Sequence, residues 1–290
     1  MPVSPYEVEI KGRNIAIVHI PFRGPFEQRF LLTADRHWDN PMSNHDMKIK
    51  HMKQAEKYKA GIIDIGDLFC AMQGKFDKRS DKDNIRPEHL KGDYLDSLWK
   101  TAARFFKPYA ERFIMIGMGN HETAVLRNHE TNLTNNLIER LNEQTKSNIY
   151  NGGYSGWIQF VFHDKWEKTD RIVKMWYIHG YGGGGPVTKG VIESNRRTVY
   201  LPDADIVISG HIHESWNLTL TRNRLKSDGI QHLEDQEHIQ LPTYKEEYQD
   251  GYEGFHIERG RYPKPIGAKW LLFRKEEHEN FIQYDVLKAR

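Results

Sequence analysis

Apolar residues in this chain fall into short runs rich in Val, Ile, Phe and Tyr, separated by polar stretches. Runs of four to six residues bounded by turn-forming residues read as buried strands. They cover 15–20, 30–33, 62–65, 113–116, 157–162, 173–178, 205–209, 216–221, 270–273 and 281–286. Three other stretches carry a helical period. The segment 46–58 sets Ile49, Met52 and Ala55 near one face, and 94–106 does the same with Leu95, Leu98, Ala102 and Phe105. The segment 133–141 is the third. Strands alternate with helices in the first half, which predicts β-α-β crossovers and a largely parallel sheet. Strands dominate the second half. An α/β fold with a two-sheet β-sandwich flanked by helices accommodates both halves. With no repeat, low-complexity run or linker, residues 1–290 are expected to form a single domain. Two stretches escape the pattern: a charged insertion at about 72–92 and an irregular segment at about 227–267.

Charge narrows the partners. The 42 basic and 40 acidic residues leave a net charge of +2, which argues against a strongly basic nucleic-acid coat and leaves room for a local basic groove. A mean hydropathy of −0.75 implies a wet, charged surface. The lone Cys70 excludes an internal disulfide and reads as a buried thiol. With no signal peptide and no apolar run long enough for a bilayer, the expected location is the cytoplasm, without a membrane partner.

Candidate chemistry lies in five polar clusters, each at the end of an apolar run. They are Asp35-Arg36-His37, Gly66-Asp67, Gly119-Asn120-His121, His179-Gly180 and Gly210-His211-Ile212-His213. In sheets with crossover helices, ligands bind beyond the carboxyl ends of strands, so the fold is expected to gather these tips at one edge. Two Asp, one Asn and five His are enough to hold two divalent ions and leave one imidazole for proton transfer. Imidazole mixed with carboxylate favours Mn, Fe, Zn, Co or Ni over Ca. One carboxylate can bridge two ions about 3.5–4 Å apart. The other histidines, His19, His45, His51, His89, His129, His163, His232, His238, His256 and His278, read as structural or surface residues.

The ordered run D-x-H, G-D, G-N-H, H, G-H-x-H, from position 35 to 213, resembles the calcineurin-like metallophosphoesterases. The resemblance implies a four-layer αββα fold. It also implies that Asp35, His37, Asp67 and His213 hold one ion, and that Asp67, Asn120, His179 and His211 hold the other. Asp67 is then the bridge, His121 protonates the leaving oxygen, and Glu122 orients His121. Protein phosphatases of that superfamily carry Asp-Arg-Gly soon after Gly-Asp and an Arg before Gly-Asn-His. Here Leu68-Phe69-Cys70 follows Asp67, and Met118 precedes Gly119. The expected activity is therefore a phosphodiesterase, nucleases included, acting on a phosphate ester such as a nucleotide or nucleic acid. A phosphomonoesterase and a nucleotide pyrophosphohydrolase are the enzymatic alternatives, and an inert scaffold of the same fold is the non-enzymatic one. Arg36 and Arg127 are candidate substrate contacts. The glycines at 182–185 are either a flexible turn or a place where backbone approaches a phosphate or base.

Overall fold

Side chains alternate across a strand, so a strand buried on both faces feeds two cores at once. The segment Phe26–Thr33 does this: Phe30 and Leu32 point one way and Leu31 the other, all of them buried. The computed structural model describes residues 5–72, 84–225, 227–249, 251–252, 255–277 and 281–289. Within them the chain is α/β, with two mixed sheets flanked by helices.

The strands in chain order are β1 Glu7–Gly12, β2 Ile15–Phe22, β3 Phe26–Thr33, β4 Gly61–Asp64, β5 Phe113–Gly117, β6 Tyr150–Gly153, β7 Ser155–Asp164, β8 Thr169–Ile178, β9 Ile206–Ser209, β10 Trp216–Leu225, β11 Gln231–Gln240, β12 Ala268–Lys275 and β13 Gln283–Ala289. One sheet runs β13-β12-β3-β4-β5-β6 and the other β1-β2-β7-β8-β9-β11-β10. From β3 to β6 all pairings are parallel, as the alternating first half predicts. The longer helices are α1 His45–Lys57, α2 Tyr94–Phe106, α3 Asn120–His129, α4 Leu133–Gln144 and α5 Ile192–Tyr200.

Between the sheets lies a core of Val18, Phe30, Leu32, Phe160, Ile208 and Phe273, among others. The Phe30, Phe160 and Phe273 rings pack with centroids 4.9–5.9 Å apart, a geometry worth about 0.5–1.5 kcal/mol per pair beyond burial. A second core joins the outer face of the six-stranded sheet to Met52 and Ala55 of α1, Leu98 and Phe106 of α2, and Leu137 of α4. Among the described residues no helix is long and apolar enough to cross a membrane.

The structure alters three expectations. Strands β1 and β6 and helices α3 and α5 join the predicted elements. The segment 227–267 is not irregular throughout, because β11 runs through it and pairs with β10 and β9. Of the charged stretch 72–92, residues 73–83 lie outside the described residues. Its end is packed: Ile85 and His89 are buried, and His89 Nδ1 lies 3.0 Å from Ser97 Oγ.

Candidate metal centre

Strands β3, β4 and β5 of one sheet, and β8 and β9 of the other, end at one edge of the molecule, and a cluster follows each. Backbone bonds lock these loops together. The Asp35 N–H donates to the Gly66 carbonyl at 2.9 Å, His37 N–H to Asp67 O at 3.1 Å, and Gly210 N–H to His179 O at 2.8 Å. Such close approach demands glycine at two positions. A Cβ on Gly66, at φ +111°, would meet Gly119 N at 2.4 Å, and one on Gly119 would meet Asp67 Oδ1 at 2.0 Å. The loops also force Asp35, His37, Asp67, His211 and His213 into left-handed backbone, at φ 51°, 44°, 51°, 69° and 56°. Such conformations cost about 1–3 kcal/mol each and concentrate at functional sites.

Among the described residues, side chains gather into three groups able to hold a metal ion: Asp35, His37 and His213; Asp67, His179 and His211; and His37, Asp67 and His121. In the first, His213 Nε2 lies 3.3 Å from Asp35 Oδ1 and 3.2 Å from His37 Nε2. In the second, His179 Nε2 lies 3.1 Å from Asp67 Oδ2, and His211 Nδ1 lies 2.7 Å from Asn120 Oδ1, which brings Asn120 alongside. Two atoms each about 2.1 Å from one ion stand about 3.0 Å apart in cis octahedral geometry and about 3.4 Å in tetrahedral geometry. The measured spacings fall close to that interval. Buried Asp35 Oδ1 and His179 Nε2 make no well-aligned hydrogen bond; what faces them is another member of the same donor set, His213 Nε2 at 3.3 Å and Asp67 Oδ2 at 3.1 Å, an arrangement native interiors avoid unless something else satisfies the atoms. The donor set thus fits divalent transition ions. Other ring nitrogens are held by backbone carbonyls, His179 Nδ1 by Ile65 at 3.2 Å and His211 Nε2 by Gly182 at 3.0 Å, as metal-binding imidazoles usually are.

Electrostatics divides the groups. Burial would raise the Asp67 carboxyl, but His179, His121 and His37 outweigh it and hold it well below the usual carboxylate range. Burial pushes His37 well down, helped by His121 and His213, and it lowers His211, helped by His179. His179 behaves oppositely: burial lowers it, yet Asp67, Asp35 and Glu122 prevail and raise it to about 9. A divalent ion bound at the buried Asp67–His179 contact would take the place of a proton there.

His121 opens α3. Its N–H donates to Asp67 Oδ1 at 3.0 Å. Its ring Nδ1 is held by the Cys70 carbonyl, and Nε2 lies 3.7 Å from Asp67 Oδ2. His121 is also on the wall of a cleft of about 440 Å³, with His37, Asp67, Asn120, His211 and His213.

Several expectations change. Arg36, expected at the substrate, is fully buried, its Nε 2.5 Å from Asp64 Oδ2 and its guanidinium carbon 5.4 Å from the Phe106 ring centroid and 5.2 Å from that of Tyr244. A buried carboxylate and two aromatic faces hold it more firmly than solvent would. Arg127 stands exposed on α3 and lines neither this cleft nor its neighbour. Glu122 does not touch the His121 ring. Its carboxylate accepts from the N–H groups of Gly119 at 2.8 Å, Phe69 at 2.8 Å and Asp67 at 3.1 Å. It therefore staples two clusters, and burial with the nearby Asp67 charge pushes it up to about 8. Cys70 is the buried thiol expected, pushed up to about 12 by burial.

Other residues carried no sequence signal. Lys245, nearly buried, lines the cleft with Glu247, to which its Nζ is paired. Met72 and Asn84, at the two ends of 73–83, line it too. Asp39 accepts from the Cys70 N–H at 2.6 Å and the Ala71 N–H at 2.9 Å, shaping the loop that holds His121.

No protein-family model matches the sequence, and no curated protein matches it. Among solved structures, the chain is similar to GAP50, the anchor in the inner membrane complex of Plasmodium, at 11% identity and TM-score 0.42 over 91% of this chain and 89% of that one. It is similar to Vps29 of Entamoeba histolytica complexed with Zn²⁺, at 10% identity and TM-score 0.35 over 90% and 99%. It is also similar to Chaetomium thermophilum Vps29, at 9% identity and TM-score 0.36 over 90% and 95%. These likenesses are too distant to bear on function.

Proposed function

We propose that this chain is a two-metal phosphodiesterase of the calcineurin-like kind, built as four αββα layers in one domain spanning residues 1–290. One observation carries the reading. Asp35, His37 and His213 form one ligand group, Asp67, His179 and His211 form another, and Asp67 also groups with His37. A carboxylate that belongs with both sides is suited to bridge two ions, with Asn120 completing the second set beside His211. Mn, Fe, Zn, Co or Ni bound there would supply Lewis acidity toward phosphoryl oxygen and lower the pKa of water.

The chain's own groups account for the rest. With Nδ1–H donated to the Cys70 carbonyl, His121 keeps Nε2 for the cleft, where in its protonated form it would donate to the leaving oxygen. Lys245, fixed by Glu247, would offer its ammonium to a non-bridging phosphate oxygen. The preference for a diester rests on space, since the cleft shares His211, His213 and Glu247 with a second cavity, so both ester substituents have room. A phosphomonoesterase or pyrophosphohydrolase would use the same centre. An inert scaffold is expected to have shed ligands, and each of the seven expected ligand residues is present.

The test is hydrolysis of bis-p-nitrophenyl phosphate and p-nitrophenyl phosphate by the purified protein with Mn. The diester is expected to turn over faster, and Asp67→Ala and His121→Ala to abolish the reaction. Equal or faster monoester turnover would refute the diester preference. Lack of metal-dependent hydrolysis of either compound would refute the enzyme.

A further inference from the structure

The second cavity, of about 620 Å³, adjoins the metal cleft through His211, His213 and Glu247. That volume lies within the range of about 300–1,000 Å³ typical of small-molecule sites. Its two walls differ in chemistry. One is the glycine run after His179, where Gly182, Gly183 and Gly184 present backbone without side chains. The other is the segment after 255, which contributes Arg259, Arg261 and Lys264. Glu247 also lines the cavity, and it is engaged on both oxygens, by Lys245 and by His256 Nε2 at 2.9 Å. The cationic wall is anchored. Buried Glu214 accepts from both Lys264 Nζ and the Tyr262 hydroxyl. The Tyr262 ring has Lys264 Nζ 4.3 Å from its centroid and Lys189 Nζ, from the glycine side, at 5.2 Å. A pocket with cations on one side and bare backbone on the other suits an anion, and a guanidinium group matches the oxygens of a phosphate.

We propose that this cavity binds a second phosphate of the substrate, one nucleotide unit from the ester cleaved in the metal cleft. This inference rests on the phosphodiesterase reading. It makes the substrate class a short nucleotide chain with a phosphate next to the scissile diester. The balanced net charge of +2 agrees with such a small site, in which cations act locally and not as a long track.

The experiment measures binding and hydrolysis separately. Thymidine dinucleotide, unphosphorylated or carrying a 5′- or a 3′-phosphate, is titrated into the full chain in EDTA by calorimetry. One phosphorylated form is expected to bind at least tenfold tighter than the unphosphorylated one. The double variant Arg259→Gln/Arg261→Gln is expected to cut that advantage to threefold or less, and Arg259→Lys/Arg261→Lys to restore part of it. Thermal melts establish that both variants fold. With Mn, the glutamine variant is expected to lose at least tenfold more kcat/KM on the phosphorylated dinucleotide than on bis-p-nitrophenyl phosphate. An advantage below threefold for both phosphorylated forms overturns the inference, as does an advantage that survives the glutamine variant. So does tighter binding of a nucleoside triphosphate than of either dinucleotide. If the binding preference is present and no ester is cleaved, the phosphodiesterase reading fails while the subsite stands. If diesters are cleaved without the preference, the subsite fails alone.

Discussion

Replacing Gly119 by alanine tests how the centre is assembled. The new methyl would stand 2.0 Å from Asp67 Oδ1 and 2.6 Å from both Asp67 Cγ and the Asp67 backbone nitrogen. Non-bonded carbons prefer about 3.5–4.0 Å, so relief requires about 1 Å of movement or more. Asp67 has little freedom to give way. It is buried, its Oδ1 accepts the His121 N–H at 3.0 Å, and its own N–H donates to Glu122 at 3.1 Å. The displacement therefore falls on the Asp67 carboxylate and on the start of α3, where His121 sits. Overpacking of this kind costs about 1–3 kcal/mol, or several degrees in Tm for a chain of this size. Moving catalytic groups by about 1 Å costs about 10²-fold in rate. Elemental analysis after dialysis, a thermal melt and kcat/KM on bis-p-nitrophenyl phosphate read out all three. The expected result is at most one bound metal in place of two, a Tm lowered by several degrees and kcat/KM reduced about 100-fold. Gly92→Ala is the control, because a Cβ there meets nothing within 4 Å. A Gly119→Ala protein that keeps two metals and a kcat/KM within twofold of wild type would refute the reasoning.

Three other outcomes are expected. Arg36→Met leaves the buried Asp64 carboxylate without its partner and should cost about 3–5 kcal/mol, read as a lower urea midpoint; a tenfold rise in KM at unchanged stability would instead return Arg36 to the substrate. His213→Ala should lower bound metal from two equivalents to one, because it depletes the Asp35–His37 group and leaves the His179–His211 group whole; retention of two equivalents would contradict the grouping. Burial, helped by Lys288, pushes Lys269 down to about 7, below its value of about 10.4 in the unfolded chain, so the folded form sheds this proton first and stability should climb as pH rises from about 7 toward 10. Lys269→Met should flatten that rise in urea midpoints measured across the range, and an unchanged slope would remove Lys269 as its source.

The clusters were legible because each follows a run of buried β-branched or aromatic residues, and the polar tip of such a run has little reason to exist without a task. The ligand order along the chain was readable for the same reason. Strand β11 was hidden because its sequence, with Glu234, Asp235 and Glu237, is that of a solvated loop; its first half is largely exposed on a hairpin with β10, and only its last four residues pair with β9. Strands β1 and β6 are edge strands; β1 has no buried residue, and β6 is four residues long, two of them glycine. Arg36 misled because a charge between two ligands reads as facing the ligands' side, whereas Asp64, reached only through the sheet, draws it inward. Lys245, Glu247 and the arginine-bearing wall come from a segment without periodicity, brought to the site by tertiary packing alone.

The left-handed backbone at positions 35, 37, 67, 211 and 213 would leave a trace in descent. On the two-metal reading, aspartate and histidine are held at these positions against their conformational cost. In a descendant that no longer used metal, glycine at any of them would relieve roughly 1 kcal/mol of backbone cost, but at positions 35 and 67 it would also strip the His211 and His121 N–H groups of the carboxylates they donate to. Glycine would then accumulate at positions 37, 211 and 213 ahead of changes in the buried strands that precede them. That order of loss would distinguish a lineage that kept the shape as a scaffold from one whose fold was decaying as a whole.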